Sequence, residues 1–238
     1  MENQGLIYLI PTTLGENTAS RSIPEYNLEV INKLDEFIVE ELKTARRFLR
    51  SIGYTKSFDD EVTFHLLNEH TDKNENFEDF LKSVKTGKNI GLLSEAGCPC
   101  VADPGSLIVE IAQSKNIRVV PLVGPSSILL SLMASGFNGQ NFAFLGYLPI
   151  DKTARVKKIK EIEKNIYQNN QTQIFIEAPY RNNHLFADII ANCGGETKLC
   201  VAAELTLPSE FIKTKSINLW KKSAPDINKK NTIFLLYK

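Results

Sequence analysis

The first 123 residues of this chain alternate between short apolar runs and segments whose apolar residues recur at helical spacing. We predict strands at residues 6–10, 36–39, 62–67, 89–93 and 118–123, and helices at residues 27–33, 44–52 and 76–85. Such alternation favours parallel strands, because a parallel connection has to cross the sheet and a helix usually makes that crossing. The pattern therefore predicts an α/β domain whose mostly parallel sheet is covered by helices on both faces.

Residues 94–105 join one of these strands to the next predicted helix and read Ser-Glu-Ala-Gly-Cys-Pro-Cys-Val-Ala-Asp-Pro-Gly. Ligands of open α/β sheets bind beside the carboxyl ends of the strands. Gly97 and Gly105 permit a close backbone approach, whereas Pro99 and Pro104 stiffen the loop. We expect this loop to offer backbone N–H and C=O groups to a ligand. Residues 124–127, Gly-Pro-Ser-Ser, repeat the arrangement before another helix.

The second half has a different pattern of predicted elements, and we place a domain boundary between residues 1–123 and 124–238. Strands are predicted at residues 142–148, 172–178, 199–205 and 232–237, with a charged helix after residue 154 and another at 185–191. The stretch around Trp220 has no assignable pattern. These elements predict a mixed α/β domain.

Charge divides along the same boundary. Residues 1–123 contain 13 Lys and Arg against 19 Asp and Glu, whereas residues 124–238 contain 15 against 9, so that the whole chain has a net charge of zero. The division indicates either a basic face for a polyanion on the second half or an uneven distribution of solubilising charge. Both interpretations remain open at this point.

Several classes of protein are disfavoured by what the sequence lacks. It contains no G-x-x-x-x-G-K-[ST], no G-x-G-x-x-G after a strand and no G-x-S-x-G. The four cysteines have neither the spacing of a zinc site nor that of a disulfide framework, so we expect reduced thiols and no metal. No export signal and no apolar run of membrane-spanning length is found, which predicts a cytoplasmic protein without a membrane partner.

Six short blocks follow one another in a specific order and spacing. They are Pro11-Thr-Thr-Leu-Gly15, residues 94–105, residues 121–127 (Pro-Leu-Val-Gly-Pro-Ser-Ser), residues 142–149 (Phe-Ala-Phe-Leu-Gly-Tyr-Leu-Pro), residues 176–181 (Ile-Glu-Ala-Pro-Tyr-Arg) and residues 203–206 (Ala-Glu-Leu-Thr). Together they resemble the tetrapyrrole methylase superfamily of S-adenosylmethionine-dependent methyltransferases. Within it they are most similar to the branch that methylates a ribose 2′-hydroxyl of small-subunit ribosomal RNA.

The resemblance implies a two-domain tetrapyrrole-methylase-like fold that binds S-adenosylmethionine in the interdomain cleft and forms a homodimer. It implies ribosomal RNA or the small ribosomal subunit as the partner. The family's cofactor positions correspond to Pro11, Ala96, Gly97, Cys98, Val101, Ser126, Ser127, Glu177 and Leu205.

Methylation of a ribose hydroxyl calls for a group that accepts its proton or holds the substrate, because that hydroxyl is a weak nucleophile. The catalytic candidates in the matched blocks are Glu95, Asp103, Arg181 and Glu204. Two structural readings stand beside them: Asp103 could cap the following helix, and Arg181 could pair with Glu177 instead of holding a phosphate.

The charged helix offers cations that could form an electrostatic docking face for RNA: Lys152, Arg155, Lys157, Lys158 and Lys160. A solvated helix surface with Glu161 and Glu163 as local partners is the other interpretation.

The substrate side departs from the branch pattern. Residues 39–47 keep only part of an acidic-Asp-Thr-Arg element, and Ala203 and Leu207 stand where the branch has two cations. Methylation of a tetrapyrrole or other small molecule, or a catalytically lapsed protein that still binds S-adenosylmethionine, therefore remain alternatives.

Overall fold

A computed structural model describes residues 4–68 and 77–238 of the 238-residue chain. The chain forms two compact units, Met1–Ser126 and Ser127–Lys238. Among the described residues, no helix combines the length and the apolar character needed to cross a membrane.

Unit 1 is built on a sheet whose strands, where the structure describes them, are ordered β3-β2-β4-β1-β5 and pair in parallel throughout. Its elements are β1 (Ile7–Ile10), α1 (Ala19–Ser22), α2 (Glu25–Ile31), β2 (Glu36–Val39), α3 (Leu42–Ser51), β3 (Thr63–Leu66), α4 (Lys82–Lys85), β4 (Ile90–Leu93), α5 (Ser106–Ser114) and β5 (Val119–Pro121). One apolar cluster includes Phe37 and Leu49, and another includes Ile90 and Ile108. The predicted parallel α/β sheet is confirmed.

The predicted helix at residues 76–85 is only partly correct. Its first residue lies outside the described residues, and a 3-10 helix occupies Phe77–Leu81 before the single helical turn of α4. Phe77 and Phe80 are three residues apart, a spacing that suits a 3-10 turn as well as an α-helix. Apolar periodicity alone could not separate the two.

Unit 2 contains a mixed sheet, ordered β6-β7-β10-β8-β9 in the described chain. Its elements are α6 (Ser127–Ser135), β6 (Phe142–Tyr147), α7 (Lys152–Asn169), β7 (Thr172–Ile176), a 3-10 turn (Pro179–Arg181), α8 (Asn182–Asn192), β8 (Lys198–Ala203), β9 (Phe211–Ser216), α9 (Ile217–Trp220) and β10 (Thr232–Tyr237). Apolar residues of α7 and α8, such as Ile162 and Ile189, share a core with Phe175 and Phe234 of the sheet. The predicted mixed sheet is confirmed.

Strand β9 was absent from the sequence prediction. It reads Phe-Ile-Lys-Thr-Lys-Ser, and its lysines interrupt the apolar pattern that marks a strand. Within the part of the chain that the structure describes, it pairs with β8 alone and is the outermost strand of the sheet. Edge strands commonly carry lysine, which discourages pairing with other chains, and this explains the weak strand signal.

In each sheet several strands end on the same side, and this side is called the shared edge below. In unit 1 the parallel strands β1, β2 and β4 all end at the same edge. In unit 2, β6 is parallel to β7, and both β7 and β8 are antiparallel to β10. The ends of β6, β7 and β8 and the starts of β9 and β10 therefore share one edge.

Candidate functional site

The loop at residues 94–105 is fastened to the end of β1. The Thr12 backbone N–H donates to the Gly97 carbonyl at 3.0 Å, and these two residues form an isolated β-bridge. The Ser94 hydroxyl donates to the same carbonyl at 2.5 Å, and its oxygen lies 3.4 Å from the Thr12 hydroxyl oxygen. Thr12 and Ser94 are both buried, so these bonds fix the base of the loop.

Gly97 is required by the space around it. Its φ is +78°, and a Cβ there would lie 3.1 Å from both Leu14 Cδ2 and the Pro125 carbonyl oxygen. The Cys98 thiol donates to the same Pro125 oxygen at 3.4 Å. Burial raises the pKa of Cys98, which keeps this thiol a neutral donor.

The second half of the loop has unusual backbone geometry. Cys100 and Ala102 have φ values of +67° and +58°, which residues with a Cβ rarely adopt. Val101, between them, is 48 % exposed. Strain of this kind persists only where the surroundings hold it, and it concentrates at ligand sites.

Asp103 does not cap the following helix. Its Oδ1 accepts the backbone N–H of Gly105 at 2.6 Å, two residues on, while α5 begins at Ser106. The bond closes a turn before the helix, because the side chain of a short acidic residue reaches its own backbone two residues ahead. The N-cap interpretation is therefore wrong.

Glu40, at the end of β2, is a functional candidate that the sequence analysis missed. Burial, followed by the neighbouring Asp103 and Glu95 carboxylates, raises the pKa of Glu40 to about 8, although the Glu95 backbone N–H donates to it. Among the described residues, Asp103 Oδ2 is buried without a donor. With its pKa raised to about 8, we expect Glu40 to carry a proton at neutral pH that can serve Asp103 as a donor.

This proton makes folding stability depend on pH. The pKa of Glu40 is higher in the folded chain (about 8) than its ordinary value of 4.5. Its stabilising contribution is therefore complete below pH 4.5, declines as pH rises and is lost above about 8. We expect Glu40→Gln, which cannot ionise but keeps a donor toward Asp103, to remove the decline.

Urea unfolding of both chains across that range measures this effect. Asp103→Asn is the companion variant, because removal of the neighbouring charge should move the decline to lower pH. Curves for the native chain and Glu40→Gln that remain parallel throughout the range would contradict the shared proton.

Glu95 is the exposed carboxylate of the loop. Its Oε1 accepts the Thr44 hydroxyl of α3 at 2.7 Å, which holds one oxygen in place. Ala96 beside it is also exposed, whereas Pro99 is buried. The loop therefore presents Glu95 and Ala96 to solvent while its base is packed.

In unit 2 the predicted site residues Glu177 and Arg181 bind each other. Arg181 donates to Glu177 Oε1 from Nε at 2.9 Å and from Nη2 at 2.6 Å, and the Ala178 backbone N–H donates to the same oxygen at 2.7 Å. Glu177 is buried. Arg181 was considered either to pair with Glu177 or to hold a phosphate, and in the structure it pairs with Glu177.

The remaining predicted residues lie at the unit boundary and beyond β8. Ser127 is the first residue of α6, and Ser126 immediately precedes it. Leu205 is buried, and Glu204 before it has a φ of +52°. The Thr206 hydroxyl is buried without a partner in the described chain.

The structure thus distributes the predicted residues over two sets. In unit 1 the set comprises Pro11, Glu95, Ala96, Gly97, Cys98, Val101, Asp103 and Ser126; in unit 2 it comprises Ser127, Glu177, Arg181, Glu204 and Leu205. Within residues 4–68 and 77–238, no group of three or more His, Cys, Asp or Glu side chains is arranged to hold a metal ion.

One member of the predicted docking face on α7 is misassigned. Arg155 is buried: it donates to Asp188 from Nε at 2.8 Å, and its Nη1 donates to the Ile150 carbonyl at 2.6 Å. Lys158 pairs with Glu161 at 2.6 Å. Arg155 therefore has a structural role, because it lies on the face of α7 that packs against α8.

Glu40 could have been found from sequence by one rule. It directly follows a predicted buried strand, as Ser94 does, and parallel strands end at a common edge. The raised pKa could not have been found, since it depends on Asp103, which is 63 positions away in sequence. The role of Thr12 also could not be predicted from its side chain, because Thr12 holds the loop through a backbone β-bridge to Gly97.

Comparisons with known proteins add to this geometry. The profile of the Tetrapyrrole (Corrin/Porphyrin) Methylases matches residues 21–218. A Vibrio cholerae protein named ribosomal RNA small subunit methyltransferase I is 31 % identical over 209 residues, which cover 87 % of this chain and 67 % of that protein. A Bacillus subtilis protein of the same name is 30 % identical over 214 residues, which cover 89 % and 68 %.

Among solved structures, the methyltransferase CobJ superposes with a TM-score of 0.62 at 13 % sequence identity, covering 98 % of this chain and 94 % of that one. At this identity the superposition is evidence for a shared fold.

Proposed function

Because this chain belongs to the tetrapyrrole methylase family, we propose that it is an S-adenosylmethionine-dependent methyltransferase that modifies a ribose 2′-hydroxyl of small-subunit ribosomal RNA. The observation that carries the proposal is the strained loop at residues 94–105, fastened to the end of β1 around Gly97. The names of the similar Vibrio cholerae and Bacillus subtilis proteins support the choice of substrate.

The loop fits the proposed donor molecule, which carries a carboxylate, an ammonium, ribose hydroxyls and an adenine ring. Such groups can be held by peptide N–H and C=O groups, and in the described chain the N–H groups of Ala96 and Val101 have no acceptor. A glycine cradle also fits, since a Cβ at Gly124 would lie 2.2 Å from Pro11 Cγ. We propose that Pro11, Gly97 and their neighbours in the matched blocks bind the donor.

S-adenosylmethionine supplies an activated methyl group, and in-line transfer depends chiefly on the alignment of the acceptor oxygen. The protein's task is therefore to hold both reactants and to accept the hydroxyl proton. We propose Glu95 for the proton, because it is the exposed carboxylate of the loop. A guanidinium has donors and no acceptor, so Arg181 positions neighbouring groups and does not act as a base.

The test is transfer of labelled methyl groups from S-adenosylmethionine to small ribosomal subunits from a strain that lacks this gene. We expect one ribose to be labelled, with no label on subunits from the parent strain, where that position is already methylated. Titration calorimetry with the donor serves as an independent reading of binding.

Two results would favour the alternatives. Label found in a tetrapyrrole or another small molecule instead of RNA would support the wider activity of the family. Donor binding without transfer to either pool would support a protein that has lost catalysis, for which Ala203 and Leu207 are the sequence argument. A homodimer, which the family resemblance implies, and a cytoplasmic location remain part of the proposal.

A further inference from the structure

Exposed aromatic rings collect at one edge of the unit 2 sheet. Tyr147 ends β6 and is 62 % exposed, Tyr180 lies just beyond β7 and is 67 % exposed, and Phe211 begins β9 and is 37 % exposed. The topology places these three positions at the shared edge, because β6, β7 and β8 end there and β9 starts there. Phe211 is on the outermost strand at the far side of the sheet from β6, so Tyr147 and Tyr180, which belong to neighbouring strands, are the two rings that the topology brings near each other. Neighbouring exposed rings mark a surface that binds a partner.

A bulge presents the first of these rings. The pairing of β6 with β7 shifts register between Phe144 and Tyr147, and Gly146 inside the shift has a φ of +66°. A bulge re-aims the side chains that follow it. Tyr147 still pairs with Ile176, the last residue of β7, so its ring stands where the neighbouring strand leads into the Tyr180 turn.

Cations accompany the rings. The Arg181 guanidinium carbon lies 5.4 Å from the centre of the Tyr180 ring, and its bonds to Glu177 hold it there. The Lys229 backbone N–H donates to the Pro179 carbonyl at 3.1 Å, which brings an exposed lysine next to the same turn. Two acids of these turns are paired, Asp226 with Lys230 and Glu177 with Arg181.

We propose that Tyr147 and Tyr180 stack on unpaired bases of the RNA substrate, with Lys229 close to its phosphates. This proposal rests on the proposed function. Aromatic faces beside cations suit single-stranded nucleic acid, because unstacked bases expose their ring faces and a duplex hides them.

Fluorescence anisotropy with the full chain tests the proposal, using a labelled single-stranded RNA and its blunt duplex as probes. We expect tighter binding of the single strand, and about a fivefold or larger loss of affinity in Tyr147→Ala and in Tyr180→Ala, as for loss of one stacked base. Tyr180→Phe should bind like the native chain because it keeps the ring. Tyr26→Ala is the matched control, since Tyr26 on α2 is 61 % exposed.

The proposal is overturned by equal binding of single strand and duplex, by unchanged affinity in both alanine variants, or by an equal loss in Tyr26→Ala. Binding of a free porphyrin that depends on the two tyrosines, with no RNA binding, also overturns it. The proposed function fails separately. If ribosomal subunits are not methylated while RNA affinity depends on the tyrosines, the stacking surface stands; if methylation proceeds unchanged in both alanine variants, the surface falls.

Discussion

Gly97→Val is expected to lower the affinity of the chain for S-adenosylmethionine by roughly 100-fold, since a strain of about 1–3 kcal/mol in the loop is worth roughly 5- to 150-fold in binding. Two causes add up. A β-branched residue resists the φ of +78°, and its Cβ would press on Leu14 and the Pro125 carbonyl at 3.1 Å. The loop must therefore shift, and we expect the β-bridge between Thr12 and Gly97 to be disturbed first.

Titration calorimetry measures the change, and Gly139→Val is its matched control. Gly139 is exposed, has no left-handed φ, and a Cβ there would meet nothing within 4 Å. The affinity of Gly97→Ala for S-adenosylmethionine should fall between those of the native chain and of Gly97→Val. A graded loss of this kind distinguishes a strained binding loop from a chain that has failed to fold. Native affinity in a folded Gly97→Val chain would remove the loop from the donor site.

Arg155→Ala is expected to lower the free energy of unfolding by about 3–5 kcal/mol, as for removal of one partner from a buried ion pair. Arg155 Nη2 lies 2.7 Å from Asp188 Oδ2, and the two side chains are 9 % and 11 % exposed. Without the guanidinium, the Asp188 carboxylate is left buried and unpaired, and the Ile150 carbonyl also loses its donor.

Urea unfolding measures this loss, with Lys157→Ala as the control from the same helix, because Lys157 is exposed. Arg155→Ala with Asp188→Ala should be less destabilised than the sum of the two single variants, since the double variant leaves no unpaired charge. If Arg155→Ala unfolds like Lys157→Ala, the pair contributes nothing.

The exposure of Tyr147 and Tyr180 could not be predicted from the sequence and became clear only in the structure. Tyr147 and Tyr180 stand in blocks that the sequence identified, yet nothing in those blocks told an exposed ring from a core ring. Tyr54, by comparison, is buried and donates its hydroxyl to the Leu34 carbonyl at 2.7 Å. The difference depends on what packs against each ring, and this is decided far along the chain.

The sequence by itself determined the parallel sheet of unit 1, the mixed sheet of unit 2 and the loop around Gly97, because apolar spacing and the backbone preferences of glycine and proline act between near neighbours. Only the tertiary structure decided that Arg155 is buried against Asp188 and that burial beside Asp103 raises the pKa of Glu40. Burial and charge pairing act through space between residues distant in sequence, and the strand order that brings those residues together is a property of the folded chain.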